Sequence, residues 1–238
     1  AVTWFTVWQA ALSAVLSVVV GTLFAYLLFR RSGPGWWLWR ALALVPFTLP
    51  VIVIAIGMHT FQIENVFSGV YVIVLSHVLL NASVATRLIG SAWQNLDSEI
   101  EAAAALDGAG RWQTFWRISL PQLRPSVSAS ALLTFAFSAS SFGVILLLGD
   151  SGTDTIETMI YKVTLGYLDL RGAALLALLQ VTIVALAFGI GRGWSQLQLN
   201  PDLSARQPRL DRRDLPVAAA GLVLALLATA PLASIAVQ

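Results

Sequence analysis

The chain alternates between long apolar stretches and short polar ones. Six stretches contain no Asp, Glu, Lys or Arg, and each approaches or exceeds the roughly 20 residues that a helix needs to cross a hydrocarbon core of about 30 Å. They cover residues 2–29, 41–63, 68–86, 125–148, 172–190 and 215–237. The pattern predicts an all-α integral membrane protein, a polytopic bundle of transmembrane helices.

Composition agrees with this prediction and removes several classes of site. Hydrophobic residues make up 58% of the chain and charged residues 11%, with a mean hydropathy of +0.79, which is outside the range of soluble domains. Cysteine is absent, which excludes disulfides, thiolate zinc sites and cysteine nucleophiles. The basic residues are dispersed among the loops, so we predict no nucleic-acid partner.

The positions of Lys and Arg predict the orientation. All of them except Lys162 and Arg171 fall in the polar segments that follow the first, third and fifth stretches. Because cytoplasmic loops carry the excess of basic residues, these segments are predicted to be cytoplasmic. The first residue then faces outward.

Two local features are expected within this framework. Pro46 and Pro50 each remove a backbone donor, so the second span is predicted to be kinked. The segment 150–171 is too charged to cross the membrane and sets apolar residues among polar ones, which predicts a short amphipathic helix on the outer surface.

A charged, helix-prone segment, residues 93–124, separates the third and fourth stretches. Ser98 and Glu101 match a capping box, in which Ser98 caps a helix and Glu101 reaches back to a free backbone donor. Residues 102–105 are all alanine, and Gly108 can take the left-handed conformation that ends a helix. A second short helix is predicted over residues 112–118, stopped by Pro121. The two helices form an elbow.

Two interpretations of the elbow remain open from the residues alone. Ala102 and Ala103 allow close approach of another protein, and Trp112, Phe115 and Trp116 are typical anchors of a protein interface. The alternative is a helix hairpin that rests on lipid headgroups.

Polar side chains within the spans are candidates for the path of a solute. The fourth span carries Ser130, Thr134, Ser138 and Ser141, whose spacing places them along one helical stripe. The stripe is equally consistent with close helix packing and hydroxyls bonded internally. Asn81 and Gln180 lie near the middle of the third and fifth spans and are expected to face the bundle interior, as interhelical contacts or solute contacts.

Several activities are disfavoured. No predicted span contains a carboxylate, Lys or Arg, whereas ion-coupled secondary transporters place such groups inside the membrane. No Gly-rich phosphate loop, paired carboxylates or Ser-His-Asp set is present, so we predict no catalytic residues and no ATP hydrolysis by this chain. His59 and His77 lack nearby carboxylates, and no metal site is predicted.

The segment around Gly108 resembles the coupling loop of binding-protein-dependent ABC importer permeases. Their pattern is Glu-Ala-Ala, three residues, Gly, nine residues, Ile, one residue, Leu-Pro. Here Gly108 is followed at the same spacing by Ile118 and then by Leu120 and Pro121. Glu101 stands one position early, because Ala102 occupies the place of the acid.

The similarity extends over residues 1–195 and is strongest toward permeases for thiamine and for iron(III), in which one polypeptide carries two such halves. The residues that carry it outside the loop include Tyr71, His77, Asn81, Arg87, Trp93, Phe142, Gly149, Glu157, Tyr161 and Gln180. An importer of other solutes, such as polyamines or inorganic anions, or an ion-coupled secondary transporter, is the alternative.

The resemblance implies the partners and the site. Two ATPase subunits, which carry ATP and Mg, would bind the cytoplasmic elbow, a substrate-binding protein would dock outside, and no cofactor would bind this chain directly. The residues implied in ATPase coupling are Glu101, Ala102, Ala103, Gly108, Trp112, Phe115, Ile118, Leu120 and Pro121. The expected location is the prokaryotic cytoplasmic membrane.

The same resemblance sets the expected domains. Residues 1–195 form the first permease half, with five core spans and the coupling loop 93–124. Residues 196–214 form a cytoplasmic linker, and residues 215–238 hold the first span of a second, truncated half.

Overall fold

The computed structural model describes residues 1–30, 36–43, 45–60 and 69–191, and within these ranges the regular structure is helical. The α-helices are α1 (Val2–Arg30), α2 (Trp36–Leu42), α3 (Val45–Thr48), α4 (Val51–Thr60), α5 (Gly69–Gln94), α6 (Ser98–Leu106), α7 (Arg111–Thr114), α8 (Leu120–Ala139), α9 (Gly143–Leu148), α10 (Ile156–Tyr161) and α11 (Leu170–Gly191). Two π-helical segments, Phe115–Ser119 and Lys162–Gly166, follow α7 and α10. The predicted linker and sixth span lie outside the described residues, as does the side chain of His59.

Three helices confirm predicted spans. α1, α5 and α11 are long and apolar enough to cross a membrane. α5 continues to Gln94, beyond the predicted end of the third span at residue 86, because Arg87 and Leu88 are good helix formers and no proline interrupts residues 87–94. Arg87 therefore lies within the helix and is exposed.

The second predicted span is broken, as its prolines indicated. The helical pair Leu38–Thr48 and Val51–Met58 bends by 91°. Pro50 stands at this break, whereas Pro46 lies in the first turn of α3, where a missing N–H has little effect. Counting the pair as one span gives four candidate spans in the described part of the chain.

The fourth predicted span differs most from expectation. It begins early, with α8 at Leu120, is interrupted between Ala139 and Gly143, and continues as α9. Neither of these two helices is among those found long and apolar enough to cross a membrane. The predicted stop at Pro121 is wrong. Pro121 lies in the first turn of α8, where proline is tolerated, and the wider turn of the first π segment joins α7 to α8 through a bond from the Leu120 N–H to the Phe115 carbonyl.

The core lies where α1, α5 and α8 pack together. One apolar cluster joins these helices near the elbow and consists of Ala25, Ala85, Ile89, Trp93 and Leu123, all almost completely buried. Further clusters join α4 to α5 and α5 to α9. The elbow is therefore built on the end of the best-packed part of the bundle.

Segments predicted to share the outer side do meet. The N–H of Gly69, which begins α5, donates to Asp150 Oδ2 at 2.9 Å, and the N–H of Ile156 in α10 donates to Thr6 Oγ1 at 2.9 Å. α10 supplies the short helix predicted between residues 150 and 171. Its position on the membrane surface stays a prediction.

Candidate functional site

The first helix of the elbow, α6, is capped by Asp97. The Oδ1 atom of Asp97 accepts a hydrogen bond from the N–H of Glu99 at 2.8 Å, and the backbone of Asp97 is extended. The predicted cap at Ser98 is wrong by one residue, because Ser98 is already helical and an aspartate caps as well as a serine does.

Glu101 does not return to the backbone of its own helix, so the predicted capping box is wrong. Its Oε2 atom forms an ion pair with Arg30, the last residue of α1. Its Oε1 atom accepts a hydrogen bond from Ser119 Oγ at 2.8 Å. The carboxylate therefore connects α6 to α1 and to the first π segment.

Gly108 confirms the predicted turn. Its φ of +84° is in the left-handed region, and no atom lies within 4 Å of the place where a Cβ would stand. The constraint on this residue is thus its backbone conformation and not lack of space. The N–H groups of Asp107, Gly108 and Ala109 satisfy carbonyls in the last turns of α6.

The second arm of the elbow presents aromatic side chains on its surface. Trp112 is 73% exposed and Trp116 50% exposed, with their rings 5.5 Å apart. Phe115 is half-buried and stacks on the buried Trp93 of α5 at 5.8 Å. Phe115 therefore fixes the arm to the bundle, and the two tryptophans are left for another contact.

The other residues assigned to the elbow have different surroundings. Ala102 and Ala103 are exposed on α6, next to Leu106, which is 89% exposed. Ile118, Leu120 and Pro121 are half-buried where the first π segment passes into α8. The elbow thus has an exposed apolar surface and a half-buried base.

A cavity of about 250 Å³ lies between the elbow and the bundle. Its walls include Tyr26 and Arg30 of α1, Trp93 of α5, Glu101 of α6 and Phe115. In the sequence, Arg30 is one of the basic residues that indicate the orientation, and its contact with the elbow was not predicted. The available signal was a cation at the end of an apolar helix, on the same predicted side of the membrane as the carboxylate of Glu101.

The candidate path residues Asn81 and Ser138 contact each other, whereas Gln180 makes a separate contact. Asn81 Nδ2 donates to Ser138 Oγ at 3.1 Å, and Gln9 Nε2 donates to the carbonyl of Ser138 at 3.1 Å. Gln9, which is fully buried, was not predicted as a polar contact, although its amide in an otherwise apolar stretch was an available signal. Gln180 Nε2 donates to Glu157 Oε2 at 2.6 Å, which joins α11 to α10.

The hydroxyl stripe is only partly formed. Ser130 and Thr134 are buried, and their hydroxyls donate to the carbonyls of Ser126 and Ser130 in their own helix. Ser141 lies beyond the end of α8 and does not continue the stripe. Across residues 1–30, 36–43, 45–60 and 69–191, no group of three or more His, Asp or Glu side chains is placed to hold a metal ion.

Several known proteins are similar to this chain in sequence. The family model for the "Binding-protein-dependent transport system inner membrane component" matches residues 17–237. The thiamine transport system permease protein ThiP of Escherichia coli strain K12 is 34% identical over 194 residues, which are 74% of this chain and 36% of that protein. The sulfate transport system permease protein CysT of the same organism is 29% identical over 172 residues, 66% of this chain and 62% of the relative.

Two solved structures show the same fold at low identity. A bacterial ABC transporter that imports alginate matches with a TM-score of 0.67 and 17% identity, covering 82% of this chain and 79% of the other. The MetNI methionine ABC transporter in an inward-facing conformation matches with a TM-score of 0.64 and 20% identity, covering 80% and 91%. The chain spans about a third of the length of the ThiP protein that it matches.

Proposed function

Because this chain belongs to the family of binding-protein-dependent transport system inner membrane components, we propose that it is a permease subunit of an ATP-driven ABC importer. It is a multi-pass protein of the prokaryotic inner membrane. The single observation that carries the proposal is the elbow, in which α6, Gly108 and α7 display exposed tryptophans at the end of the packed bundle.

In the proposed mechanism the elbow docks into an ATPase subunit on the cytoplasmic side. Trp112, Trp116 and Leu106 supply apolar area that becomes buried in the partner, which is how aromatic anchors stabilise interfaces. Phe115 and Trp93 carry movement of the elbow into α5. ATP with Mg binds to a pair of ATPase subunits, and this chain hydrolyses nothing.

The remaining partners follow the same proposal. A substrate-binding protein docks on the outer face, and a second permease half completes the pore, in this polypeptide or another. That Asn81, Ser130, Thr134, Ser138, Ser141 and Gln180 line the path stays a prediction. The internal hydrogen bonds of Ser130 and Thr134 favour helix packing as their role.

We propose thiamine or iron(III) as the solute. The support is the similarity to ThiP and to the ferric transport system permease protein FbpB of Actinobacillus pleuropneumoniae, which is 26% identical over 220 residues. Sulfate and molybdenum permeases also match, so an inorganic anion is the competing solute class. Uptake of labelled thiamine, ferric iron, sulfate and molybdate into cells that lack their own systems distinguishes these solutes.

The docking surface is tested by replacing Trp112 and Trp116 with alanine and measuring how much ATPase subunit co-purifies with the permease. The matched control is Trp4→Ala, because Trp4 is also 73% exposed but lies at the opposite end of α1 from the elbow. We expect the paired elbow variant to lose the ATPase and the control to retain it. Equal retention in both, or uptake driven by an ion gradient without ATP, contradicts the proposal.

A further inference from the structure

We propose that Glu101, Arg30 and Ser119 form a latch that holds α6 against the end of α1, so that Glu101 positions the coupling elbow from within this chain instead of contacting the ATPase. The inference rests on the proposed function for its consequence in transport. The latch itself is a property of the permease alone.

The geometry of the carboxylate supports the latch. Glu101 uses its two oxygen atoms on different elements, Oε2 on the Arg30 guanidinium and Oε1 on Ser119 Oγ at 2.8 Å. Its side chain is only 20% exposed. A partner protein would have to displace both contacts to reach this carboxylate.

Burial makes the ion pair difficult to replace. Arg30 is 8% exposed and Ser119 is 3% exposed. A charged group removed from water needs an opposite charge and hydrogen bonds close by, and removal of one member leaves the other uncompensated. Asp97 and Glu99, the nearest other carboxylates along the chain, are exposed and make no ion pair in the described structure.

The one-residue offset explains how the acid reaches this position. Successive residues of an α-helix are rotated by about 100° around its axis, since a turn contains 3.6 residues. Ala102, at the place where related loops carry their acid, is exposed on α6. Moving the acid one residue earlier turns it from that exposed face toward the bundle, where Arg30 lies.

The described side chains of α6 make few other contacts with the bundle. Ile100 is 45% exposed and Leu106 is 89% exposed, and the residues between Glu101 and Leu106 are alanines with small side chains. The largest contacts of α6 are with the adjoining α7 and first π segment. Loss of the latch should therefore free α6 without unfolding the bundle.

The absence of cysteine allows a direct test. A nitroxide attached to Leu106→Cys, in the permease reconstituted in vesicles without ATPase, reports the mobility of α6 by electron paramagnetic resonance. We expect Glu101→Gln and Ser119→Ala each to shift the spectrum toward the mobile component. The exchanged pair Arg30→Glu with Glu101→Arg should return it toward the immobile component, and Glu99→Gln, an exposed acid on the same helix, should leave it unchanged.

Ser119→Ala keeps the experiment decisive if Glu101→Gln does not fold. It removes the hydrogen bond to Glu101 without leaving a buried charge unpaired. Unchanged mobility in Glu101→Gln or Ser119→Ala overturns the latch. The latch is also overturned if Glu101→Gln loses the ATPase in co-purification while α6 stays immobile, since that result indicates direct contact between Glu101 and the ATPase. A wild-type permease that binds no ATPase contradicts the proposed function but leaves the mobility result valid.

Discussion

Gly21 in α1 lies so close to Ala85 in α5 that a Cβ placed on Gly21 would stand 2.5 Å from the Cβ of Ala85. The backbone nitrogen of Thr86 would be 2.9 Å away. Among the described helices, α1 and α5 share the largest contact. Small residues let helices in a membrane approach to backbone distance, where van der Waals contacts replace the missing hydrophobic driving force.

Gly21→Ala should therefore destabilise the bundle. The added methyl group meets backbone and Cβ atoms that cannot rotate away, and overpacking of this kind costs about 1–3 kcal/mol. The measurement is the free energy of unfolding in mixed micelles with increasing denaturing detergent.

Gly189→Ala is the matched control for this prediction. It also lies in a membrane-spanning helix, but no atom stands within 4 Å of its Cβ position. The control should be neutral or slightly stabilising, because alanine has a helix propensity up to about 1 kcal/mol better than glycine. Equal stability of the two variants would show that α1 and α5 are not in close contact.

Gly108→Val should abolish most of the ATP hydrolysis that the binding protein stimulates in proteoliposomes. Valine is poorly compatible with a φ of +84°, so the turn between α6 and α7 must change and the elbow is displaced. Gly110→Val is the control, since Gly110 has a φ of −70° in the extended region and open space at its Cβ. Full stimulation in Gly108→Val would remove the elbow from the coupling mechanism.

Thr6→Val tests the link between α1 and α10. The buried Thr6 hydroxyl accepts a hydrogen bond from the Ile156 N–H at 2.9 Å and donates to the Val2 carbonyl at 3.0 Å. Valine has nearly the same shape and leaves the Ile156 N–H unpaired, at a cost of about 1–3 kcal/mol. Hydrogen exchange at Ile156 should become faster.

Thr182→Val is the corresponding control for Thr6→Val. Its hydroxyl is bonded only to the Leu178 carbonyl of its own helix. Exchange at Ile156 should not respond to this change. If Thr6→Val also leaves that exchange rate unaltered, the hydrogen bond between α1 and α10 does not stabilise the protein.

Local patterns predicted the helices and the turn of the elbow, since both depend on neighbouring residues. Runs without charge are sufficient to locate α1, α5 and α11, though not to find the end of α5, and Gly108 after an alanine run is sufficient for the end of α6. The partner of Glu101 could not be predicted from local patterns. Arg30 is 71 positions away in the sequence, and only packing of α1 against the other helices brings the charges together.

The break in the fourth span was missed for a related reason. Residues 125–148 contain no charge, and hydropathy does not distinguish one helix from two that are separated by a turn. Ser138 and Ser141 then appeared to share a stripe, although α8 ends at Ala139. α9 packs against α4 and α5 where the chain changes direction. These tertiary contacts cannot be predicted from the local sequence.

Ser138→Ala separates the two roles that remain for the buried polar residues. The change removes the hydroxyl that accepts from Asn81 Nδ2 at 3.1 Å and leaves a buried amide with one contact fewer. Hydrogen bonds between helices in membranes average about 0.6 kcal/mol and reach about 1.7 kcal/mol, so a loss of stability of that size is expected. Ser91→Ala is the control, because Ser91 is exposed and bonds only to its own helix. If the contact serves packing, transport by Ser138→Ala retains the wild-type KM for the solute, whereas a raised KM with unchanged stability would place Ser138 in the path.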